Sequence, residues 1–305
     1  MSKRDIRMSN YLTDGALRRL VELALEEDLG RGDVTSDLLV PSDTKTRAVL
    51  RSRSQGVIAG LEVASRVFEL VDEQVRFATL IRDGVSVTRR QDLAVVSGPA
   101  RSVLRGERVA LNFLQRLSGI ATLTSRFVDA VRGTGARIVD TRKTTPGLRG
   151  LEKYAVRAGG GLNHRRDLSD AVMIKDNHLA VISALGLSIG DAIKQARESL
   201  PHTLKIEIEV DALDQIPEAL AAGVDIILLD NFSTEDLKAA VRLIDGRAIT
   251  EASGGVSLET VSEIAVSGVD VISVGALTHS APALDIGLDF ARDGGEAVQN
   301  LVEGR

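Results

Sequence analysis

The chain has no cysteine. Disulfides, thiolate metal sites, a cysteine nucleophile and thiol redox chemistry are therefore excluded, and any metal or covalent chemistry must use oxygen, nitrogen or lysine. Tryptophan is missing too, and aromatic residues make up only 3% of the sequence, which leaves little for the stacking platforms that bind single-stranded nucleic acid. Nor is there a surplus of positive charge. The formal net charge of -5 argues against a general nucleic-acid binder. No segment approaches the ~18 uncharged apolar residues of a membrane-spanning helix. The opening Met1-Ser2-Lys3-Arg4-Asp5-Ile6 lacks the apolar core of a secretory signal, because Asp5, Arg7 and Asn10 interrupt it. The expectation is a cytoplasmic protein with a small-molecule partner.

What is present is ordinary for a globular protein: 305 residues, 44% hydrophobic and 27% charged. Single cores stop growing near ~250–300 residues, so two unequal domains are expected. Leu17, Leu20, Val21, Leu23, Ala24 and Leu25 recur at helical spacing and lead to a glycine stop at Gly30. From Thr46 to Gly98 the texture changes to short alternating or apolar runs punctuated by Gly84 and Gly98-Pro99, the pattern of a small β-containing domain. A long helical pattern from Ser102 to Arg132 then links this domain to the next.

Beyond the linker, apolar runs recur at Arg137 to Asp140, Ala171 to Ile174, Leu204 to Val210, Asp225 to Leu229, Ala248 to Thr250 and Asp270 to Val274. Helical segments separate most of them, at Ile189 to Leu200, Leu213 to Ala222, Thr234 to Leu243 and Leu258 to Ser267. This is the sequence form of repeated βα units around a parallel sheet, and their number suggests a barrel. The alternative is an open doubly wound sheet, but the Gly-x-Gly-x-x-Gly turn is missing and so is a Walker phosphate loop.

In a βα barrel the active site gathers at the carboxyl ends of the strands. The first run ends in Thr141, Arg142, Lys143 and Thr144, followed by Thr145-Pro146-Gly147. A guanidinium fork beside a compact ammonium grips carboxylates or phosphates, although such pairs are often solvated surface. The second run ends in Lys175, Asp176, Asn177 and His178, and the third carries Glu207 and Glu209. These two glutamates share one face of their strand, where an uncompensated carboxylate pair would be costly. Later ends supply Asp230-Asn231, then Glu251, Ser253, Gly254 and Gly255, then Gly275 with His279 beyond it. Asp230 could simply cap the next helix, and Ser253-Gly254-Gly255 is either an ordinary turn or a phosphate nest. His164 and Arg165 sit on a glycine-rich loop between the first two strands. Together these residues point to a charged, multi-part ligand.

In order along nearly the whole chain come Glu26-Glu27-Asp28-Leu29-Gly30 with Gly32-Asp33 and Thr35-Ser36, then Glu107-Arg108-Val109-Ala110-Leu111-Asn112, Thr141-Arg142-Lys143-Thr144-Thr145-Pro146-Gly147, His164-Arg165 and Lys175-Asp176-Asn177-His178. Leu229-Asp230-Asn231-Phe232, Glu251-Ala252-Ser253-Gly254-Gly255 and Ala281-Pro282-Ala283-Leu284-Asp285 follow. This series resembles the quinolinate phosphoribosyltransferases, the carboxylating nicotinate-nucleotide pyrophosphorylases. The resemblance implies an N-terminal α/β sandwich over residues 1–118 and an incomplete, open TIM-like α/β barrel over residues 119–285, with residues 286–305 packing back on the first domain. It also implies a homodimer or a hexamer of dimers, and the Mg²⁺-dependent joining of quinolinate to phosphoribosyl pyrophosphate to give nicotinate mononucleotide, pyrophosphate and carbon dioxide.

By position, the resemblance assigns Arg108, Arg142, His164, Arg165 and Lys175 to quinolinate, with Arg108 delivered from the neighbouring subunit. Thr141 and Thr144 flank the pair Arg142-Lys143, and Lys143 falls between the two substrates. Glu209 and Asp230 correspond to the acidic pair at the ribose and Mg²⁺, while Ser253, Gly254, Gly255, Gly275, Ala276, Leu277 and His279 correspond to the phosphate rim. Lys143, Lys175, Glu209 and Asp230 are the catalytic candidates, and Lys175 and His164 are expected to hold carboxylates rather than move protons. Three other readings stay open: a sister phosphoribosyltransferase for another aromatic acid, a Schiff-base aldolase using Lys175, and a non-catalytic anion sensor.

Overall fold

The computed structural model describes residues 6–290. They fall into two compact units, each with its own core. The first comprises the described residues up to Leu123, Thr145–Gly160, and those from Ala281 onward; the second comprises Thr124–Thr144 and Gly161–Ser280.

The first unit is built on a four-stranded antiparallel sheet in the order Ile286–Phe290, Lys45–Ser52, Asp92–Pro99, Arg76–Thr79. The strand Ile286–Phe290 shows that the chain returns to this sheet after the second unit; residues 291–305 lie outside the described residues. Helix Asp14–Leu29 starts where the Thr13 hydroxyl accepts the Ala16 N–H, and it buries Leu17, Val21 and Leu25, a single stripe at intervals of four. Helix Leu61–Val71 buries Leu61, Val63, Ala64, Val67 and Phe68. Its first two amides, from Gly60 and Leu61, are satisfied by the Asp83 carboxylate at 2.7 and 3.2 Å, and the Tyr154 hydroxyl donates to the same group. Burial pushes the Asp83 carboxyl above its usual range against the pull of those donors. Helix Arg149–Ala158, in which the charged residues Arg149, Glu152, Lys153 and Arg157 recur at helical spacing, carries Tyr154 and the buried Glu152.

The second unit is a six-stranded parallel sheet in the order Arg137–Val139, Val271–Ser273, Ile249–Ser253, Ile226–Asp230, Ile206–Val210, Val172–Ile174. All six expected strands are present, shorter than the apolar runs by a residue or two at some ends. The two edge strands, Arg137–Val139 and Val172–Ile174, pair with inner neighbours and not with each other among the described residues, so the sheet curls into a barrel that stays open. The amino ends of two strands are pinned by acids, the half-buried Asp225 and the exposed Asp270. Asp225 accepts from the Ile206 N–H at 2.7 Å and from Arg197, and Asp270 accepts from both the N–H and the hydroxyl of Thr250. The segment Leu213–Ala221 begins as a 3₁₀ turn and becomes α-helical only at Ile216, where Pro217 occupies the first turn. Helix Asp176–Ala184 was not expected, since none of its residues is buried and no amphipathic stripe marks it. No single helix among the described residues is long and apolar enough to cross a membrane.

The long helical pattern expected from Ser102 to Arg132 is a single helix, Ala100–Ala130. Gly119 lies on it with the backbone of Pro282 and Ala283 directly against its Cα, where a Cβ would run into the Pro282 carbonyl. Gly119→Ala is therefore expected to destabilise the protein by about 1–3 kcal/mol through overpacking, whereas Gly135→Ala, with nothing within 4 Å, should leave the thermal midpoint nearly unchanged; paired thermal melts check this.

Candidate active site

The carboxyl ends of the parallel strands carry four groups of side chains within the second unit. The first begins at Asp140, the residue after strand Arg137–Val139, which is fully buried. Its Oδ1 accepts the His164 N–H at 2.9 Å and its Oδ2 accepts the Asn163 side-chain amide at 2.6 Å. Backbone bonds from Leu162 to Ile138 and from Asp140 to Leu162 lay the same loop alongside the strand end. The loop that carries His164 and Arg165 is thereby held as an extra rung of the barrel wall.

His164 is oriented from both sides. Its Nδ1 accepts the Arg165 N–H at 2.7 Å, while Nε2 lies 3.2 Å from Glu207 Oε2 and 3.5 Å from Glu251 Oε1. Burial disfavours the charged ring and the two carboxylates favour it, with a net upward push on the His164 pKa, but the Arg165 N–H already occupies Nδ1 and opposes a second ring proton there. Glu207 and Glu251 are only 1% and 3% exposed. Burial raises the Glu207 carboxyl, Glu251 adds like-charge repulsion, and His164 and Arg165 oppose both. Arg165 reaches the Ala171 carbonyl at 3.2 Å and the Met173 sulfur at 3.3 Å. Its guanidinium is pushed down first by burial and then by the nearby positive charge of Arg142. Arg142 completes the group, with a buried Nε that has no hydrogen-bond partner among the described residues.

The second group is an ion pair between Lys175 Nζ and Glu209, each at the end of its strand. The backbone N–H of Lys175 is accepted by His178 Nδ1 at 3.0 Å. Glu207 and Glu209 do share one face of the strand, as alternation requires, but they separate by depth: Glu207 is sealed in the interior, while Glu209 is half-buried near the rim.

The third group joins the loop after the first strand to the turn after the last. The Thr141 hydroxyl accepts the Lys143 N–H at 3.0 Å, and the Thr144 N–H returns to the Arg142 carbonyl. Thr278 donates to the Lys143 carbonyl at 2.7 Å. Gly275 lies between side chains here, because a Cβ would stand 3.1 Å from Lys143 Cδ and 3.2 Å from His279 Nε2. Ala276 and the buried Leu277 follow in a short turn of helix that ends at His279. The fourth group is Asp230 with Asn231, Ser253, Gly254 and Gly255. Ser253 is the register partner of Asp230, and Asp230 Oδ2 accepts the Asn231 amide at 2.7 Å. Asn231 (φ 58°), Gly254 (φ 89°) and Gly255 (φ 59°) all take left-handed backbone conformations. A Cβ at Gly254 would strike the Asn231 amide oxygen, so glycine is required there.

The structure thus gathers Arg142 with Arg165 and His164, Lys175 with Glu209, Lys143 with Gly275 and His279, and Asp230 with Ser253 and Gly254. Arg108 belongs to the first unit, exposed on helix Ala100–Ala130. Sequence reasoning gave no role to Asp140 or Glu251, although both abut apolar runs at strand ends. Their signal was a carboxylate where burial is expected.

Comparison with known proteins places the chain in a family. Residues 33–118 match the family described as "Quinolinate phosphoribosyl transferase, N-terminal domain", and residues 120–289 match its C-terminal domain. A Mycobacterium leprae protein named nicotinate-nucleotide pyrophosphorylase [carboxylating] is 47% identical over 281 residues, spanning 90% of this chain and 97% of the relative. A Bacillus subtilis protein named as a probable enzyme of the same kind is 43% identical over 273 residues, spanning 90% and 93%. The solved nicotinate-nucleotide pyrophosphorylase of Francisella tularensis superposes with a TM-score of 0.86 at 38% identity, covering 92% of this chain and 98% of that one. With both domains matched in order and the relatives covered almost end to end, the chain belongs to the quinolinate phosphoribosyltransferase family.

Proposed function

We propose that this protein transfers the phosphoribosyl group of phosphoribosyl pyrophosphate to quinolinate, with decarboxylation, giving nicotinate mononucleotide, pyrophosphate and carbon dioxide. The observation that carries this reading is the pair Arg142 and Arg165, two guanidinium groups close enough that the charge of Arg142 adds to burial in pushing the Arg165 guanidinium down, at the same barrel mouth. A single carboxylate does not call for such an arrangement. Two adjacent carboxylates on one ring do, and each charge-assisted bond to them contributes about 1.5–3 kcal/mol. Arg108 of a neighbouring subunit would add a third guanidinium.

Quinolinate held this way presents its ring nitrogen to the anomeric carbon. The nitrogen lone pair forms the new C–N bond as the C–O bond to pyrophosphate breaks, with its electron pair leaving on oxygen. Positive charge grows on the ribose and negative charge on the leaving group, so fixed electrostatics carry most of the catalysis. Glu209 and Asp230 face the sugar hydroxyls in this reading, and Lys143 faces the departing pyrophosphate. Ser253, Gly254, Gly255, Gly275, Ala276, Leu277 and His279 line the phosphates, where the left-handed backbone at Gly254 and Gly255 leaves N–H groups unobstructed by a Cβ. Glu209 and Asp230 are hard oxygen donors of the type Mg²⁺ prefers and would hold it directly or through ribose or water. When bound, Mg²⁺ supplies charge neutralisation at the phosphates. Loss of the ring carboxylate as carbon dioxide then leaves the electron pair of the broken C–C bond on the ring carbon beside a cationic nitrogen, which stabilises it until that carbon takes a proton from solvent, so the substrate carries its own electron sink.

A homodimer is supported by exposed apolar side chains, Val34, Leu38 and Leu39 in the first unit, and Leu168, Val181 and Leu185 in the second. The aldolase alternative loses ground to the Lys175–Glu209 ion pair, since an ammonium so paired has no lone pair for a carbonyl.

With phosphoribosyl pyrophosphate and Mg²⁺, mass-resolved products should show nicotinate mononucleotide from quinolinate and none from nicotinate; product from nicotinate would shift the reading to a sister enzyme. Arg165→Ala should lower kcat/KM for quinolinate by about 10–150-fold, the equivalent of one charge-assisted bond, with the KM for phosphoribosyl pyrophosphate little changed in steady-state assays. Chelation of Mg²⁺ should abolish turnover, and Asp230→Asn should raise the Mg²⁺ concentration needed for half-maximal rate.

A further inference from the structure

The quinolinate clamp accounts for Arg142, Arg165 and His164, but not for the two carboxylates buried beneath them. Glu207 and Glu251 come from different strands, Ile206–Val210 and Ile249–Ser253, and both are almost wholly buried. Placing two acids under an anion site weakens the field that attracts the anion, so their presence needs a compensating use.

The two faces of His164 supply that use. Nδ1 accepts the Arg165 N–H, so the ring carries its proton on Nε2, and Nε2 faces both carboxylates at 3.2 and 3.5 Å. The imidazole is thus a strut. One end rests on the two glutamates, the other end receives the peptide N–H of the residue whose guanidinium grips the substrate, and Asp140 holds the His164 N–H from behind. Rotation of the ring would release the Arg165 peptide. Glu207 also places negative charge near the Arg165 guanidinium, which offsets the repulsion from Arg142 before substrate arrives.

The ligand atoms of His164, Glu207 and Glu251 lie within 4.8 Å of one another, a spacing that could also hold a cation. The tautomer argues otherwise. A metal needs the Nε2 lone pair, which puts the ring proton on Nδ1, directly against the Arg165 N–H.

We infer that Glu207 and Glu251 are positioning residues which, by flanking His164 Nε2 with their carboxylates at 3.2 and 3.5 Å, fix the His164-Arg165 peptide and so aim Arg165 at the carboxylates of quinolinate. The inference rests on the reaction proposed above.

Calorimetric binding separates the two. If the wild-type protein fails to bind quinolinate, the functional reading itself fails. If it binds, Glu251→Ala should weaken quinolinate by about 10-fold or more, the loss of a bond to a charged group, while phosphoribosyl pyrophosphate affinity stays within about twofold. Glu251→Gln keeps an acceptor oxygen and should recover most of the loss. In a His164→Ala background the Glu251→Ala penalty should shrink to about twofold or less, since residues acting through one another are not additive. Glu207→Ala run through the same cycle serves should Glu251→Ala not fold. Equal losses for both substrates, a full penalty in the His164→Ala background, or stoichiometric metal in the wild type that Glu251→Gln removes would each overturn the inference.

Discussion

The Asp140 carboxylate is the constraint on which the rest of the site depends. It is the first residue past the strand Arg137–Val139, fully buried, and it spends both oxygens on one loop. Through Asn163 and the His164 N–H it converts a glycine-rich connection, which would otherwise wander, into a fixed part of the wall. His164 then reaches Glu207 and Glu251, Arg165 reaches Ala171 and Met173, and Arg142 completes the cationic group from the other side of Asp140. A mobile loop would have to lose that freedom each time a substrate bound, whereas a loop fixed in advance does not.

The two ends of the parallel strands use acids in opposite ways. At the amino ends, Asp225 and Asp270 accept backbone N–H groups from neighbouring strands and are consumed by the fold. At the carboxyl ends, Glu209 pairs with a single lysine and Asp230 with one amide, which leaves oxygen lone pairs for a ligand. This is the division between stability and chemistry that βα barrels show, here written in the same residue type.

The same division governs what the sequence makes legible. Strands were readable because parallel strands buried on both faces appear as short apolar runs, and residues such as Arg142, Lys175, Glu209 and Asp230 were readable because charge follows each run directly. Helix Arg149–Ala158 was not, although Arg149, Glu152, Lys153 and Arg157 recur in it at helical spacing, because it is short and its charged residues are buried or half-buried where solvent exposure would be expected. Helix Asp176–Ala184 escaped because it has no buried face at all. The partnership of His164 with Glu207 and Glu251 joins a loop to two strands 43 to 87 positions away in the chain, and only the curl of the sheet brings them together. Strand Ile286–Phe290 is similar: five residues that become a strand because Lys45–Ser52 offers an edge.

The barrel's missing closure has a consequence for binding. Strands Arg137–Val139 and Val172–Ile174 are the two edges of the sheet, and no backbone ladder joins them among the described residues. Arg142 follows the first of these edges, and Arg165 is bonded to the Ala171 carbonyl beside the second. In the proposed binding mode a diacid gripped by both arginines would tie these two edges together, a fastening that hydrogen bonds perform between every other pair of neighbouring strands.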